Sequence, residues 1–268
     1  MRPRLVALDL DGTLMTYDNR LPVGHEHAVK ELRRLGVTVA ICTGRSLRTT
    51  RWIWESLALG SPLVCFNGAW VGLPDHPPIA QAGIAEDEAH DILKELLHRD
   101  GAVCCYPTPG SWIMTRHLPR THGWSNLYGI DIQIRPDLIH NWTGMTFKIM
   151  YVDEPDLIPG VARHLTGLLG RRFQVVMSQE DRLEILPQAI NKAWGLARLA
   201  EHLGVAQADV WAVGDADNDL EMLRWAGHAC VMGQAGDHLL DLARHRLPSV
   251  EARGLCALPH ILARDMQK

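Results

Sequence analysis

The stretch LVALDLDGTL, residues 5–14, places two carboxylates directly after a run of apolar residues. Residues 5–8 are short and apolar enough to predict one buried strand of a parallel sheet. Side chains alternate along a strand, so Asp9 and Asp11 start on the same side, and Gly12 permits a sharp turn after them. Two carboxylates crowded at the end of a buried strand repel each other unless a cation shares the site. The stretch therefore predicts a divalent metal and, with it, phosphate chemistry.

The composition of the chain limits the classes of protein to which it can belong. Its 268 residues exceed one average domain, and 47% apolar residues with 22% charged residues are enough to build a core. A net charge of −4 argues against an electrostatic nucleic-acid binder. No apolar stretch approaches the length of a membrane span, and the run after the basic start at residues 1–4 is broken by Asp9 and Asp11, unlike a secretory signal. We therefore expect a cytoplasmic protein with no nucleic-acid or membrane partner, and the oligomeric state stays open.

Neither the cysteines nor the histidines form a metal-binding pattern in the sequence. The six cysteines contain no CxxC pair and no regular spacing, so reduced and mostly buried thiols are expected rather than disulfides or zinc ligands. The fourteen histidines, His25 and His27 among them, lack a helical or zinc-finger spacing. Solvated or core histidines are therefore the favoured interpretation.

Strands and helices alternate in the first and last parts of the chain. Besides residues 5–8, buried strands are predicted at residues 38–42, 63–66, 210–213 and 229–232. Helices are predicted along Ala28, Leu32 and Leu35 up to Gly36, from a cap at Ser46 to about Leu57, and along Leu196, Leu199, Ala200 and Leu203 up to Gly204. Polar clusters follow the carboxyl ends of these strands, where open α/β sheets bind ligands. The predicted fold class is α/β, with a doubly wound parallel sheet of the Rossmann type.

The segment between about residues 83 and 187 has a different pattern and predicts an inserted α/β domain. One helical face is marked by Leu93, Leu96 and Leu97, and another by Leu157, Val161, Leu165 and Leu168. Strand-like pieces lie at residues 102–106, 112–115, 146–152, 173–177 and 183–186. Elements on this scale can build a domain of their own. We therefore expect residues 1–82 and 188–268 to form a core and residues 83–187 to form a cap domain.

The polar residues at the strand ends suit phosphoryl transfer. A carboxylate held against Mg²⁺ stays ionised and can attack phosphorus, which suits Asp9. Asp11 can protonate the leaving oxygen and then deprotonate the attacking water. The Thr43 hydroxyl and the Gly44 amide can hold a phosphate at a helix amino end. Lys192 supplies a positive charge to the phosphoryl oxygens.

Three further residues complete the predicted site. Asp215 follows the strand at residues 210–213 and brings a third acidic oxygen, as hard, octahedral Mg²⁺ prefers. Asn218 and Asp219 can orient that ligand shell from behind, and Asn218 is also a candidate phosphate-binding residue. Such a set supplies positioning and charge compensation, which is mainly what phosphoryl transfer requires.

These four groups of residues resemble the ordered motifs of the haloacid dehalogenase-like superfamily. In chain order they are DLDGTL at residues 9–14, TGR at residues 43–45, Lys192, and GDADND at residues 214–219. The length and position of the insert, with NGA at residues 67–69, resemble the Cof-type phosphatases of that superfamily, which carry an α/β cap between the second and third motifs. The resemblance covers the whole chain. One position departs from it, since Ala193 follows the lysine where such proteins commonly carry Gly, and Ala costs little in a helical turn.

The resemblance implies a phosphoric monoester hydrolase that acts on small phosphorylated metabolites through an aspartyl-phosphate. Asp9 would be the nucleophile, Asp11 the general acid and base, and Thr43 and Lys192 the phosphate binders. The implied cofactor is Mg²⁺, held by Asp9, the Asp11 main-chain carbonyl and Asp215. Sugar phosphates, nucleotides and phosphorylated cofactors all fit as substrates, because specificity lies in cap side chains whose orientation the sequence leaves open.

Three other functions would use the same residues. A phosphotransferase or mutase shares the chemistry but transfers the phosphoryl group to a sugar hydroxyl. A signalling receiver that is phosphorylated on an aspartate is disfavoured by the large insert and by the adjacent pair Asp9 and Asp11, because a switch must not hydrolyse its own phosphate quickly. A non-catalytic metabolite binder is disfavoured because all the proposed catalytic side chains are present.

Several residues have a structural interpretation beside a functional one. Arg45 can fix its loop by a salt bridge rather than touch substrate, and Asn67 can cap a turn or bind near the phosphate. Asp217 is expected to be a hydrated loop residue, and the orientation of Lys148 stays open. A core position is favoured over a sugar-stacking platform for Trp112, Trp124 and Trp142.

Overall fold

The computed structural model describes residues 4–266, apart from the side chain of Tyr128, and the chain divides into two compact units. Unit 1 comprises Met1–Arg45, Thr50–Gln81 and Asn191–Lys268, and unit 2 comprises Ser46–Thr49 and Ala82–Ile190. The assignment of residues 83–187 as a cap domain stays a prediction. The basic start at residues 1–3 lies outside the described residues.

Both units are built from strands and helices joined by loops. The strands are β1 (Leu5–Leu8), β2 (Thr38–Ile41), β3 (Leu63–Cys65), β4 (Trp70–Gly72), β5 (Ala80–Gln81), β6 (Ala102–Cys105), β7 (Trp112–Met114), β8 (Ile132–Ile134), β9 (Ile149–Val152), β10 (Phe173–Gln179), β11 (Arg182–Pro187), β12 (Val210–Gly214), β13 (His228–Met232) and β14 (His245–Leu247). The helices are α1 (His25–Arg34), α2 (Leu47–Ser56), α3 (Glu86–Leu96), α4 (Trp124–Tyr128), α5 (Ile158–Leu169), α6 (Lys192–His202), α7 (Leu220–Trp225), α8 (Asp237–Leu240) and α9 (Leu258–Asp265).

A parallel sheet of five strands forms the centre of unit 1. Its strand order is β14-β13-β12-β1-β2, and every neighbouring pair is parallel. β1 lies between β12 and β2, and all four of its residues are buried, as the apolar run predicts. This interior position places the residues that follow β1 beside those that follow β12 at the carboxyl edge of the sheet.

Helices cover both faces of this sheet. Leu5 and Ala7 of β1 share a core with Leu196 of α6 and Met222 of α7. The intervening residues of β1 face the other layer, which holds α1 and α9, because side chains alternate along a strand. The predicted doubly wound α/β core is therefore confirmed.

The third predicted strand, β3, has two kinds of neighbour. It lies parallel to the end of β2, where Cys42 and Val64 form a bridge and the Thr43 amide donates to the Val64 carbonyl at 2.8 Å. It also pairs antiparallel with β4, which in turn pairs with β5. β3 therefore runs in the predicted direction, but it belongs to a separate sheet of three strands.

Two predicted helix boundaries in the first part of the chain are confirmed. α1 ends at Arg34 with Leu35 as its cap, and Gly36 follows with a φ of 79°. At the start of α2, the Thr49 amide donates to the Ser46 hydroxyl at 3.3 Å, which is the predicted cap.

Unit 2 contains a sheet of six strands in the order β10-β11-β9-β6-β7-β8. Its pairs are antiparallel except for β7 and β8, which run parallel. α3 and α5 contribute Ile92 and Leu165 to a core that also contains Val103 and Ile149 of the sheet. The strand predicted at residues 146–152 is shorter than expected, since it begins at Ile149.

The predicted apolar face of α5 is wrong at both ends. Leu157 and Leu168 are 49% and 52% exposed, whereas Ile158 and Leu169 are buried. Val161 and Leu165 are buried as predicted, so the true face contains residues 158, 161, 165 and 169. Both sets fit a period near 3.6 residues, and the packing against the sheet selects one of them.

Other predictions on burial are confirmed. All six cysteines are free, and every one except Cys256 is buried. The three tryptophans of the insert are buried, and Trp112 packs edge-on against Tyr106 with ring centroids 5.0 Å apart. Lys148, whose orientation the sequence leaves open, is buried and donates to Glu184 at 2.8 Å. Within residues 4–266, no helix combines the length and the apolar character that a membrane span requires.

Candidate active site

Two acidic side chains meet at the carboxyl edge of the unit 1 sheet. Asp9 directly follows β1 and Asp215 directly follows β12, which is the neighbouring strand. The Asp9 amide donates to the Val213 carbonyl at 2.9 Å, so the pairing of the two strands continues to the site. Both carboxylates are buried. The sheet therefore brings together two of the predicted metal ligands from opposite ends of the chain.

Lys192 lies between this pair and a third carboxylate. Its Nζ donates to Asp9 Oδ1 at 2.5 Å and to Asp219 Oδ1 at 2.6 Å, and the lysine is fully buried. Lys192 is the first residue of α6, whose preceding residue Asn191 accepts a hydrogen bond from the Trp194 amide at 3.0 Å. The capped helix end thus fixes the start of the lysine side chain.

A close approach of two backbones sets the position of α6. A Cβ at Gly68 would lie 2.0 Å from the Asn191 carbonyl oxygen, and a Cβ at Gly195 would lie 2.5 Å from Val64 and 2.7 Å from the Gly68 Cα. Gly68 also has a φ of 102°, which other residues rarely adopt. These two glycines let the helix pack directly on the turn after β3. The predicted NG turn therefore has a structural role in placing Lys192.

Asp219 holds the backbone at Asp215 in place. Its Oδ2 accepts hydrogen bonds from the amides of Asp215 at 2.9 Å and Ala216 at 3.1 Å. Gly214 leaves room for this contact, since a Cβ there would lie 2.5 Å from the Asp219 carboxyl carbon. Asn218, predicted to orient the metal ligands together with Asp219, is exposed. Its side-chain amide donates instead to the side-chain oxygen of Asn67 at 3.0 Å.

The loop after β1 folds back tightly onto Asp215. The hydroxyl of Thr13 donates to Asp215 Oδ1 at 2.8 Å, and the hydroxyl of Tyr17 donates to Asp215 Oδ2. Gly12 has a φ of 87°, and a Cβ there would lie 2.2 Å from Asp215 Oδ2. The Gly12 carbonyl accepts from the Gln234 side chain at 2.6 Å. Gly12, which is predicted to permit the turn, is therefore also needed because a side chain there would collide with Asp215.

Asp11 lies outside the buried cluster and is paired with Arg45. The guanidinium donates from Nε to Asp11 Oδ2 at 2.8 Å and from a terminal nitrogen to Asp11 Oδ1, an arrangement with two parallel bonds. The same guanidinium also binds the side chain of Asn19. The Asp11 side chain is 38% exposed. Arg45 therefore makes the salt bridge that the sequence suggested as one of its two interpretations.

Thr43 and Gly44 lie at the end of β2, next to the turn after β3. The buried Thr43 hydroxyl accepts from the Arg45 amide at 3.1 Å, and the Thr43 carbonyl accepts from the Asn67 amide at 3.0 Å. A Cβ at Gly44 would lie 2.9 Å from the Asn67 side chain. The structure thus packs the second motif against Asn67. Asp217, expected in a hydrated loop, is exposed and binds His238 at 2.8 Å.

Burial sets the electrostatics of the cluster. Burial raises the pKa of Asp9 well above its ordinary value, and the charge of Asp219 raises it further. Burial also raises the pKa of Asp215, against the hydrogen bonds from Tyr17 and Thr13. For Lys192, burial lowers the pKa, but the carboxylates of Asp219 and Asp9 outweigh it and raise the pKa overall. The lysine is therefore a permanent cation, and it pairs with two of the three buried carboxylates, Asp9 and Asp219.

The donor set of this cluster fits a divalent cation. The carboxylates of Asp9, Asp215 and Asp219 offer oxygen atoms that all lie within 4.8 Å of one another. One lysine offsets one of three negative charges, so further positive charge would stabilise the ionised cluster. Asp219 is held at its two oxygens by Lys192 and by two backbone amides, whereas Asp215 accepts from side-chain hydroxyls, which can rotate away, so Asp9 and Asp215 are the candidate metal ligands. Carboxylate oxygens are the ligands that Mg²⁺ prefers.

Three residues with contacts in the site had no assigned role in the sequence analysis. Thr13 and Tyr17 bind Asp215, and Gln234 binds the Gly12 carbonyl. Gln234 lies just beyond β13, so the rule that polar residues after parallel strands line a site could have found it. Thr13 stands inside the quoted acidic motif, whereas no sequence signal distinguishes Tyr17.

Comparison with known proteins gives consistent matches along the chain. A family model described as haloacid dehalogenase-like hydrolase matches residues 6–257. An HMP-PP phosphatase of Cronobacter sakazakii is 33% identical over 261 residues, which cover 95% of this chain and 91% of that protein. An HMP-PP phosphatase of an Enterobacter species is 29% identical over 245 residues, which cover 90% of this chain and 88% of that protein. A crystal structure of a haloacid dehalogenase-like hydrolase from Bacteroides thetaiotaomicron has a TM-score of 0.87 at 20% identity, covering 97% of this chain and all of that one (100%).

The matched region contains all four groups of site residues, and the chain belongs to the haloacid dehalogenase-like hydrolase family. Within that family it is a phosphatase of the Cof type, as the sequence motifs predict. The protein is therefore an enzyme, and the alternatives of a signalling receiver and of a non-catalytic binder are wrong.

Proposed function

We propose that this phosphatase hydrolyses phosphate monoesters of small metabolites with Mg²⁺, through a phosphoryl group carried on Asp9. The observation that carries the proposal is the buried bond from Lys192 to Asp9, made beside Asp215 at the carboxyl edge of the sheet. A carboxylate that is oriented by a fixed cation and surrounded by further acidic oxygens suits attack on a phosphoryl group neutralised by a metal.

The first half of the proposed reaction transfers the phosphoryl group to the enzyme. An oxygen of Asp9 forms the new bond to phosphorus while the bond to the leaving oxygen breaks, and Asp11 gives its proton to that oxygen. Lys192 holds Asp9 Oδ1 at 2.5 Å, so the second carboxylate oxygen can face phosphorus. Mg²⁺ held by Asp9, the Asp11 main-chain carbonyl and Asp215 would supply positive charge to the phosphoryl oxygens.

The second half returns the enzyme to its starting state. Asp11, now deprotonated, takes a proton from a water molecule as the water oxygen attacks phosphorus, and the bond from phosphorus to Asp9 breaks. Inorganic phosphate leaves with the water oxygen. If a sugar hydroxyl took the place of water, the same residues would catalyse the phosphotransferase reaction.

The pairing of Asp11 with Arg45 must open during this cycle. A carboxylate that accepts two hydrogen bonds from a guanidinium cannot also carry the proton that a general acid donates. We therefore assign Arg45 a movement away from Asp11 when substrate is present. The exposed edge of Asp11 leaves room for that exchange.

The remaining predicted residues would hold the phosphate. The Thr43 hydroxyl and the Gly44 amide lie at the end of β2, next to β1, and can donate to phosphoryl oxygens. Lys192 contributes its charge from the other side of Asp9. Asn218 would reach the phosphate only from its exposed position beside Asn67.

The substrate class we propose is a small organic phosphate. Two relatives that match at least nine-tenths of this chain are HMP-PP phosphatases, so HMP-PP is the first compound to test. Sugar phosphates, nucleotides and phosphorylated cofactors complete the panel. Release of inorganic phosphate in equal amount to substrate consumed identifies a hydrolase, whereas an isomerised phosphate ester identifies a mutase.

The decisive variants are Asp9→Asn and Asp215→Asn, each assayed on this panel with Mg²⁺ and with a chelator. Asp9→Asn should lower kcat by at least roughly a thousandfold with the circular dichroism spectrum unchanged, because it removes the nucleophile. Asp215→Asn should require more Mg²⁺ for half-maximal activity. Substantial activity of Asp9→Asn, or wild-type activity that is unaffected by the chelator, would contradict the proposal.

A further inference from the structure

Two histidines and an aspartate meet at the amino edge of the unit 1 sheet. His228 is the first residue of β13, His245 is the first residue of β14, and Asp265 is the last residue of α9. The strands are parallel, so this edge is opposite the carboxyl edge that carries Asp9 and Asp215. The group, which we call the amino-edge cluster, is therefore separate from the candidate active site.

The polar atoms of the amino-edge cluster converge. His228 Nδ1 lies 4.0 Å from Asp265 Oδ2, and His245 Nε2 lies 3.5 Å from the same oxygen. One ligand atom from each residue can be chosen so that all three lie within 4.8 Å of one another. Three residues from three separate elements thus direct imidazole nitrogens and a carboxylate oxygen toward one point.

Trp211 of β12 fixes the orientation of both imidazole rings. The rings of His228 and His245 stack on Trp211 with centroid distances of 4.3 and 4.9 Å and interplanar angles of 9° and 8°. The two histidine rings are parallel to each other, with centroids 6.4 Å apart. Stacking on the larger ring of Trp211 therefore sets the tilt of both imidazoles.

The buried nitrogen of His228 lacks a hydrogen-bond partner. His228 is 9% exposed, and its Nδ1 makes no hydrogen bond within residues 4–266. The 4.0 Å to Asp265 Oδ2 is beyond the range of about 2.7–3.2 Å for such a bond. A buried polar atom of this kind normally has a partner, because leaving it unsatisfied is unfavourable. This nitrogen lies on the side of the ring that approaches the Asp265 carboxylate.

We propose that His228, His245 and Asp265 bind a divalent transition metal ion of the kind that prefers imidazole, with Zn²⁺ as the representative. Zinc bonds to imidazole and carboxylate at about 2.0–2.2 Å in tetrahedral geometry, which places neighbouring ligand atoms about 3.4 Å apart. The distances of 3.5 and 4.0 Å need only a small inward movement. His245 and Asp265 are partly exposed, so a water molecule can take the fourth position and the ion has a path of entry.

The two edges of the sheet offer ligand atoms that suit different metals. Mg²⁺ prefers an all-oxygen shell, which the carboxyl-edge aspartates offer, whereas imidazole nitrogen favours zinc and its neighbours in the first transition row. An ion at the amino-edge cluster would connect the end of α9 to the first residues of β13 and β14. Its role would be to hold the last helix on the sheet rather than to take part in phosphoryl transfer.

Zinc binding by the full chain tests this inference directly. Metal-free protein is titrated with Zn²⁺ in excess Mg²⁺, which occupies the acidic cluster, and zinc uptake is measured by equilibrium dialysis. We expect one equivalent of zinc for the wild type and at least tenfold weaker binding for His245→Gln and for Asp265→Asn. The matched control is His260→Gln, an exposed histidine on α9 outside the cluster, which should bind zinc like the wild type.

Two further readouts make the test decisive. X-ray absorption of the zinc-loaded protein should show two imidazole nitrogens per zinc, and zinc should raise the Tm of the wild type and of His260→Gln but not of Asp265→Asn. Asp265→Asn keeps the size of the side chain and carries the test if His245→Gln fails to fold. The proposal would be overturned if the wild type took up no zinc or if both ligand variants took up as much zinc as the wild type. Sulfur among the zinc ligands would also overturn it.

Discussion

At the scale of single residues, Lys192 supplies the positive charge within the acidic cluster of the candidate active site. It is fully buried and binds two carboxylates at 2.5 and 2.6 Å. Removing one partner of a buried ion pair leaves an uncompensated charge, which typically costs about 3–5 kcal/mol. Lys192→Met should therefore lower the free energy of unfolding by about that amount in a chelator, and Mg²⁺ should restore part of it. Urea denaturation with and without Mg²⁺ measures both effects.

The control for this variant is Lys30→Met, which removes another lysine from an ion pair. Lys30 binds Glu26 one turn away on the exposed surface of α1. Exposed pairs of this kind contribute little to stability. Equal losses of stability in the two variants would show that the ion pairs of Lys192 stabilise the fold no more than an exposed ion pair does.

The raised pKa values of Asp9 and Asp215 predict how Mg²⁺ binding depends on pH. In the metal-free fold both pKa values lie above the ordinary 3.8, so the folded chain keeps protons that the unfolded chain has already released. Their contribution to stability therefore falls as pH rises from 3.8 through the raised values. Mg²⁺ needs both groups deprotonated, so its stabilising effect should grow with pH over the same window.

The measurement is the difference in Tm between Mg²⁺ and chelator at a series of pH values. The wild type should show a difference that increases with pH, and Asp215→Asn should show a smaller and flatter one. A difference that is constant, or larger in acid, would contradict the assignment of these two carboxylates as metal ligands.

The convergence of the residues in the candidate active site could largely be predicted from single residues. Asp9 and Asp215 follow short apolar runs that are typical of buried strands, and parallel strands bring their carboxyl ends to one edge. The contacts of Tyr17 could not be predicted, because they depend on how the loop after β1 folds back onto Asp215. The amino-edge cluster was equally hidden. Its residues lie on β13, β14 and α9, and no spacing rule connects them.

At the scale of elements, the contact of α6 with the turn after β3 determines where Lys192 lies. A Cβ at Gly195 would meet Val64 at 2.5 Å and the backbone of Gly68 at 2.7 Å. Gly195→Ala should therefore shift α6, lower stability by about 1–3 kcal/mol and reduce kcat through Lys192. Urea denaturation and steady-state kinetics check the two effects.

Gly167→Ala in α5 is the matched substitution. Gly167 also lies in a helix, and a Cβ there would meet nothing within 4 Å. Alanine is the better helix former by about 1 kcal/mol, so this variant should be unchanged or more stable. A stability of Gly195→Ala equal to or above the wild type would show that the close approach does not constrain the helix.

Elements differ in how well the sequence predicts them. Runs such as β1 and β12 and amphipathic helices such as α1 have enough residues to reveal their period. β5 and β8 have two and three residues, which is too few to show alternation. The true face of α5 depends on packing against the sheet, because two neighbouring faces are both apolar.

At the scale of the whole molecule, the fold brings together residues that are far apart in the chain. Asp9 and Lys192 are 183 residues apart, yet their side chains share a hydrogen bond inside unit 1. The five-stranded sheet achieves this by placing β1, from the first part of the chain, beside β12, from the last. The predicted α/β core follows from the alternation of strands and helices, whereas the strand order follows from pairing that the sequence leaves open.

The central claim is that Asp9 carries the phosphoryl group, and peptide mass spectrometry tests it most directly. The Asp11→Asn variant is incubated with Mg²⁺ and an aryl phosphate whose phenolate leaves without a proton from Asp11, then quenched in acid, because loss of the general base should then slow only release of the intermediate. We expect a phosphoryl group on the peptide that contains Asp9 and on Asp9 itself. A phosphoryl group on another residue, or none while turnover continues, would contradict the account.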